Sequence, residues 1–226
     1  MIHFVGAGPG AADLITMRGH QLLTQADVII YAGSLVNPEL LQYAKESCSI
    51  YNSASMTLEE VIDVMKQAEE KNQLTVRLHT GDPCLYGAIR EQMDQLDAYN
   101  ITYDVVPGGS SFCGAAAALK AEYTLPNVSQ SVIITRMAGR TPVPEKEEIA
   151  LLAAHQATMV IFLSTGMLEQ LSQRLLAGGY QTDTPAAIVY KATWDDEKVC
   201  HCTVATLAQT AKEHNITKTA LIIVGN

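Results

Sequence analysis

The sequence predicts an α/β protein of two domains, the first built on a mainly parallel sheet with helices on both faces, the second on a mixed sheet. Three observations predict it. In residues 1–106, short apolar runs alternate with amphipathic helical stretches, an order that favours parallel pairing through right-handed crossovers. Of the 226 residues 48% are apolar and 17% charged, which suits strands covered on both faces. A run of five turn formers, Pro107-Gly108-Gly109-Ser110-Ser111, then separates this half from one richer in strands. The expected domains are therefore 1–108 and 112–226.

The elements follow in order. Residues 2–5 are an apolar strand that ends in Gly6-Ala7-Gly8-Pro9-Gly10. A helix is expected over 13–25, capped by Asp13, with Leu14, Met17, Leu22 and Leu23 as its apolar face. Residues 27–31 form a second strand. Asn37-Pro38 opens a short helix, with proline at the first helical position. Residues 48–51 read as a short strand. Thr57-Leu58-Glu59-Glu60 is a capping box for a helix to about Lys71. Residues 74–78 are a strand, and Thr80-Gly81-Asp82-Pro83 turns into a helix expected to run to Leu96. Residues 103–106 close this half. Beyond an Ala-rich helix at 113–119, strands are expected at 131–135, 158–163, 186–190, 197–202 and 220–224. Helices are expected at 146–155, 167–177 and 204–214. The strand at 186–190 lacks polar alternation and reads as fully buried. The strand at 197–202 partly alternates and reads as half-exposed and antiparallel.

Composition excludes several functions. The net charge is −9 and Lys and Arg are scattered, which argues against nucleic acid or an anionic membrane as partner. No apolar run approaches the length of a membrane-spanning helix. Met1-Ile2-His3 leads straight into a strand with no charged leader, so a cytoplasmic protein is expected. Five cysteines without a C-x-x-C pair point to reduced thiols. Cys200 and Cys202 share one strand face while His201 takes the other, a poor metal set, and no metal site is expected.

Three glycine loops, 6–10, 80–83 and 107–111, each follow the C-terminal end of an expected strand. In a parallel sheet those ends share one edge, where ligands bind. Gly6, Gly8 and Ala11 fit the G-x-G-x-x-A dinucleotide pattern. Against a nicotinamide-dependent oxidoreductase, Pro9 removes a donor, and the second strand ends in Tyr31-Ala32-Gly33 with no carboxylate for a ribose.

Taken with Tyr31-Ala32-Gly33-Ser34-Leu35-Val36, Arg77-Leu78-His79-Thr80-Gly81-Asp82-Pro83 and Val105-Val106-Pro107-Gly108, the first loop resembles that of the tetrapyrrole methyltransferases. Further segments are Glu122-Tyr123-Thr124-Leu125-Pro126, Val128-Ser129-Gln130, Gly139-Arg140-Thr141-Pro142-Val143-Pro144, Tyr190-Lys191-Ala192-Thr193-Trp194 and Leu221-Ile222-Ile223-Val224-Gly225. They narrow the resemblance to the branch that methylates precorrin-4, with or without cobalt, at C11. It covers essentially the whole chain.

The resemblance implies a homodimer that uses S-adenosyl-L-methionine, bound in the cleft between domains, with a tetrapyrrole over the first domain. It implies cofactor contacts at Pro9, at Thr80, Gly81 and Asp82, at Ser110 and Ser111, at Leu163 and Ser164, and at Ala220. The family has another residue at Gly109, an acidic-Pro pair near Ala11-Ala12, and about one further strand pair after Asn226. From the residues themselves, Asp82, Ser110 and Ser111 also read as helix N-caps. The substrate's carboxylates are expected to meet Arg136, Arg140 and Lys191, with Arg77 a further candidate, and His79 could orient a substrate group. Trp194 and Tyr123 either flank the macrocycle or pack in the core. Methyl transfer from an activated sulfonium needs positioning rather than a protein nucleophile, so no catalytic residue is singled out and Cys84 and Cys113 read as structural. A carrier that binds these ligands without turnover is an alternative that the residues do not exclude. So is a methyltransferase for another carbon of the macrocycle.

Overall fold

The computed structural model describes residues 1–226, apart from the side chain of Ser34. It divides into two compact units, Met1–Cys113 and Gly114–Asn226.

The first unit carries β1 (Ile2–Gly6), β2 (Val28–Tyr31), β3 (Ser49–Asn52), β4 (Thr75–His79) and β5 (Tyr103–Val106), in the order β3-β2-β4-β1-β5. Every pairing in this sheet is parallel. The central strands present apolar side chains to both faces. Val5, Ile29, Val76 and Leu78 pack on one side with Leu23 and Leu40. Phe4, Ile30, Val61, Met65 and Leu96 pack on the other. Helix α1 (Met17–Gln25) contributes to the first cluster, while α2 (Leu58–Glu70) and α3 (Arg90–Ala98) supply the second. The capping box forms as expected: Glu60 N donates to Thr57 Oγ1 at 3.2 Å, and Thr57 N donates to Glu60 Oε2 at 2.7 Å.

Two helix starts differ from the sequence expectation. The stretch 13–25 is broken into a 3-10 turn, Ala12–Leu14, and α1, because Thr16 rather than Asp13 is the cap and accepts from Gly19 N at 3.1 Å. After Pro83 the chain does not become helical until Arg90. Residues 83–89 form an irregular turn with Tyr86 and Ala88 at positive φ, 57° and 50°. Gly87 is obligatory there, since a Cβ would strike the Pro83 carbonyl. Asp82 is therefore no helix cap.

Helix α4 (Ser111–Leu119) crosses the division between the units. The second unit holds β6 (Val132–Arg136), β7 (Thr158–Phe162), β8 (Pro185–Tyr190), β9 (Lys198–Thr203) and β10 (Ala220–Val224), ordered β6-β7-β10-β8-β9. Only β6 and β7 are parallel; β10 runs antiparallel to both β7 and β8, and β9 antiparallel to β8. One face of this mixed sheet is covered by α5 (Ile149–Ala153), α6 (Leu168–Ala177) and α7 (Leu207–Glu213), whose Ile149, Leu171, Leu175 and Leu207 join Met159, Ile161 and Ile188 in one core. Helix α5 is shorter than the expected 146–155, because the Glu148 carboxylate accepts from Ala150 N at 2.7 Å and starts it late. On β9 Cys200 is buried and His201 exposed, the half-exposed pattern read from the sequence.

Candidate functional site

In the first unit the loops leaving β1, β4 and β5 converge through backbone contacts. Ala7 N donates to His79 O at 2.7 Å, and Gly8 and Gly81 exchange a pair of bonds at 3.3 and 3.0 Å. A Cβ on Gly6 would lie 2.5 Å from the Gly108 Cα, and one on Gly108 would collide with the Gly81 carbonyl. Gly6 and Gly108 can meet so closely only without side chains, and Gly81 takes a φ of +62°, which favours glycine. Asp82 ties the same loops with its side chain: Oδ1 accepts from Cys84 N at 2.8 Å, and Oδ2 accepts from Gly108 N at 3.0 Å. Pro9 lies next to Gly109, with its Cδ 3.3 Å from where a Cβ would stand. Buried Ser110 and half-buried Ser111 border Gly81. Pro9, Thr80, Gly81, Asp82, Ser110 and Ser111 thus gather on one edge of the sheet, in a side-chain-poor cradle that main-chain groups can line.

The second unit has an edge of its own, at the C-terminal ends of β6, β7 and β8 and the start of β10. Hydrogen bonds run along it. Met137 N donates to Ser164 Oγ at 2.9 Å, Thr165 Oγ1 to Ala220 O at 3.1 Å, and Lys191 N to Thr219 O at 3.1 Å. Ser164 is fully buried and also donates to Phe162 O at 2.7 Å, so its hydroxyl is spent on the scaffold. Leu163, between them, has φ +53° and is 65% exposed. An exposed leucine in the left-handed region is held there by its neighbours rather than by its own preference. Ala220, 7% exposed, offers main chain. Sequence reasoning missed Met137 and Thr165, which fix this edge. The signal was Leu163-Ser164-Thr165, two small hydroxyl residues directly after an apolar strand.

The residues expected to meet the substrate's carboxylates separate. Arg77 is a correction: it is 6% exposed, and its Nε donates to Gln92 Oε1 at 2.9 Å and its Nη1 to Ile30 O at 3.2 Å. Burial lowers its pKa to about 10, which leaves it charged at neutral pH. His79 is another. Its ring is 3% exposed and stacked on Phe4 at 6.0 Å, on the inner face of β4 rather than at an open edge. Arg136 Nη1 donates to Met137 O and Thr141 O at 3.2 and 3.1 Å, and Nη2 donates to Pro142 O at 2.9 Å, so its guanidinium is occupied by its own loop. Lys191 pairs with Asp196 at 2.7 Å and lies over the Trp194 ring. That pairing raises the pKa of Lys191 and lowers that of Asp196. Arg140 is exposed at the loop tip. Trp194 and Tyr123 are half-buried rather than core residues. Cys84 and Cys113 are exposed. Among the described residues no group of three or more His, Cys, Asp or Glu could hold a metal ion. Among the described residues no helix is long and apolar enough to cross a membrane.

A parallel α/β unit with three glycine loops at one strand edge, followed by a mixed α/β unit, defines a class of proteins that bind small molecules through main chain at strand ends. The chain belongs to the tetrapyrrole (corrin/porphyrin) methylases, whose family description matches residues 1–208. It is 56% identical over 221 residues to a cobalt-precorrin-4 C(11)-methyltransferase of Methanocaldococcus jannaschii, covering 98% of this chain and 85% of that one. It is 43% identical to the protein of the same description from Priestia megaterium, covering 99% and 87%. The solved structure of a cobalt precorrin-4 methyltransferase of cobalamin biosynthesis superposes with a TM-score of 0.97 at 43% identity, covering 99% of this chain and 94% of that one.

Proposed function

We propose that this chain is an S-adenosyl-L-methionine-dependent methyltransferase acting on C11 of precorrin-4 or cobalt-precorrin-4 in cobalamin biosynthesis. The observation that carries the reading is the near-complete superposition on a cobalt precorrin-4 methyltransferase together with full-length identity to relatives of that description. The cofactor supplies a methyl group already activated on a sulfonium, so the protein's task is to hold it in line with the ring carbon and keep water away. The glycine cradle fits that task. Gly6, Gly81 and Gly108 bring backbone together without bulk, and Pro9, Thr80, Asp82, Ser110 and Ser111 border it. Leu163 and the main chain of Ala220 would hold the cofactor at the second unit's edge, with Ser164 supporting Leu163 from below. For the substrate's acidic arms, exposed Arg140 is the best-placed guanidinium and Lys191 is a weaker one, already paired with Asp196. A cytoplasmic homodimer completes the reading, supported by the family resemblance; light scattering tests the dimer.

The test offers the protein S-adenosyl-L-methionine with precorrin-4 and with cobalt-precorrin-4, and follows product mass. The expected outcome is a gain of one methyl, located at C11 by NMR. Cofactor binding without any methyl gain on either macrocycle would instead support a carrier. Methylation elsewhere on the ring would support a neighbouring reaction.

A further inference from the structure

The loop after β6 is exposed throughout residues 138–142. The two ends of the loop, at Arg136 and Val143, border a half-open pocket of about 840 Å³ that extends to Glu148, Gln170, Gln173 and Arg174. What holds the loop is internal. Gly139 N donates to Thr141 O at 3.2 Å. The Arg136 guanidinium reaches three of the loop's own carbonyls, on Met137, Thr141 and Pro142, at 3.2, 3.1 and 2.9 Å. At its root the loop is fixed by Met137 N donating to Ser164 Oγ, one residue from exposed Leu163. Pro142 and Pro144 stiffen its far side. Arg140 stands at the tip, between Gly139 and the clamped Thr141 carbonyl.

We infer that Arg136 is a positioning residue: it shapes the loop 137–144 so that Arg140 meets one carboxylate arm of the macrocycle, and it does not meet a carboxylate itself. The inference rests on the proposed function for the identity of the substrate. Its chemistry is that of a fork. A guanidinium presents several N–H groups in one fixed plane and can satisfy three carbonyls at once, whereas an ammonium is a compact point charge with no such plane. The exposed residues 138–142 have little packing to replace those bonds. Without them the Arg140 guanidinium samples many positions, and its bidentate pairing with a carboxylate loses its geometry.

The full chain and its variants Arg140→Ala, Arg136→Gln, Arg136→Lys and Arg136→Gln/Arg140→Ala are assayed for KM of the macrocycle, KM of S-adenosyl-L-methionine and kcat. Loss of one charged pair is expected to raise the macrocycle KM roughly tenfold or more in Arg140→Ala. Arg136→Gln should raise it by a similar factor while the cofactor KM stays within about twofold. The double variant should be no worse than about twofold beyond Arg140→Ala, because Arg136 acts only through Arg140. Arg136→Lys keeps the charge but not the fork, and should behave like Arg136→Gln. Full rescue by lysine, additive losses in the double variant, or an unchanged macrocycle KM in Arg136→Gln would each overturn the inference. Hydrogen exchange of amides 138–143 reads the clamp without turnover, and must quicken in Arg136→Gln; unchanged exchange overturns the clamp. If the unaltered chain transfers no methyl group, the proposed function fails and the assignment of Arg140 to its substrate fails with it. The exchange experiment still decides whether Arg136 orders the loop.

Discussion

Leu163 combines two costs at one position. Its backbone is in the left-handed region, which disfavours a side chain by about 1–2 kcal/mol, and its isobutyl group is 65% exposed. Nothing in the core gains from this arrangement, whereas fully buried Ser164 spends its hydroxyl on maintaining it, accepting from Met137 N and donating to Phe162 O. Local strain of this kind points to use. Glycine tolerates the same φ without strain. Leu163→Gly is therefore expected to leave the ligand-free protein as stable or up to about 1 kcal/mol more stable. The same change should weaken S-adenosyl-L-methionine roughly tenfold, the loss of about one buried side-chain contact. Thermal unfolding and calorimetric titration of the one variant read both effects. Cofactor affinity equal to that of the unaltered protein would remove Leu163 from the site.

At the scale of elements, what matters is how three loops from β1, β4 and β5 become one surface. Glycine makes the approach possible, and the Asp82 carboxylate makes it stick, with one oxygen on Cys84 N and the other on Gly108 N. Asp82→Asn keeps one acceptor but turns an amide N–H₂ toward the other donor. It should cost about 1–3 kcal/mol for the backbone N–H left without an acceptor, read by urea denaturation, and should loosen the loop 107–111 in hydrogen exchange. A stability within experimental error of the unaltered protein would mean that the glycine contacts suffice. Much of this architecture was legible in the sequence, because it rests on local rules. The capping box at Thr57, the proline opening at Asn37 and the alternation of β9 are decided within a few residues. The break after Ile15 turns on which of two nearby capping residues wins, Asp13 or Thr16, while the break after Pro83 was not legible because a distant partner decides it. Asp82 looks like a helix cap until Gly108, 26 residues on, is seen to claim its second oxygen. Nor were the partners of the candidate arginines legible. Arg77 stands in a motif, but Gln92 and the Ile30 carbonyl take its guanidinium into the core, and the neighbours of Arg136 are the carbonyls of a loop whose path a sequence does not state.

For the molecule as a whole, buried charge sets how stability depends on acidity. The inner face of β4 carries Arg77 and His79 into the Phe4 side of the first unit. The charged Arg77 donates to the Gln92 amide and the Ile30 carbonyl, neither of which carries a charge. Burial first, and the Arg77 charge second, push the His79 pKa down to about 3 from an ordinary 6.5. His79 Nε2 is buried without a hydrogen-bond partner, so nothing compensates a proton placed on the ring. The sign follows. Below pH 6.5 the unfolded chain binds a proton at this position that the folded chain refuses, so stability is full above that pH and falls as the solution is acidified toward pH 3. The slope for one proton is about 1.4 kcal/mol per pH unit. Carboxylates enter later: Asp27, whose pKa Lys45 holds below its ordinary 3.8, loses stability only in stronger acid. The window from pH 6 to 4.5 thus isolates histidine. His79→Leu keeps an apolar side chain against Phe4 and removes the titration. Urea unfolding followed by circular dichroism should show a smaller loss of stability per pH unit across that window in His79→Leu than in the unaltered protein. Identical slopes would mean that His79 accepts its proton in the folded state, and that the inner face of β4 admits water where the structure closes it.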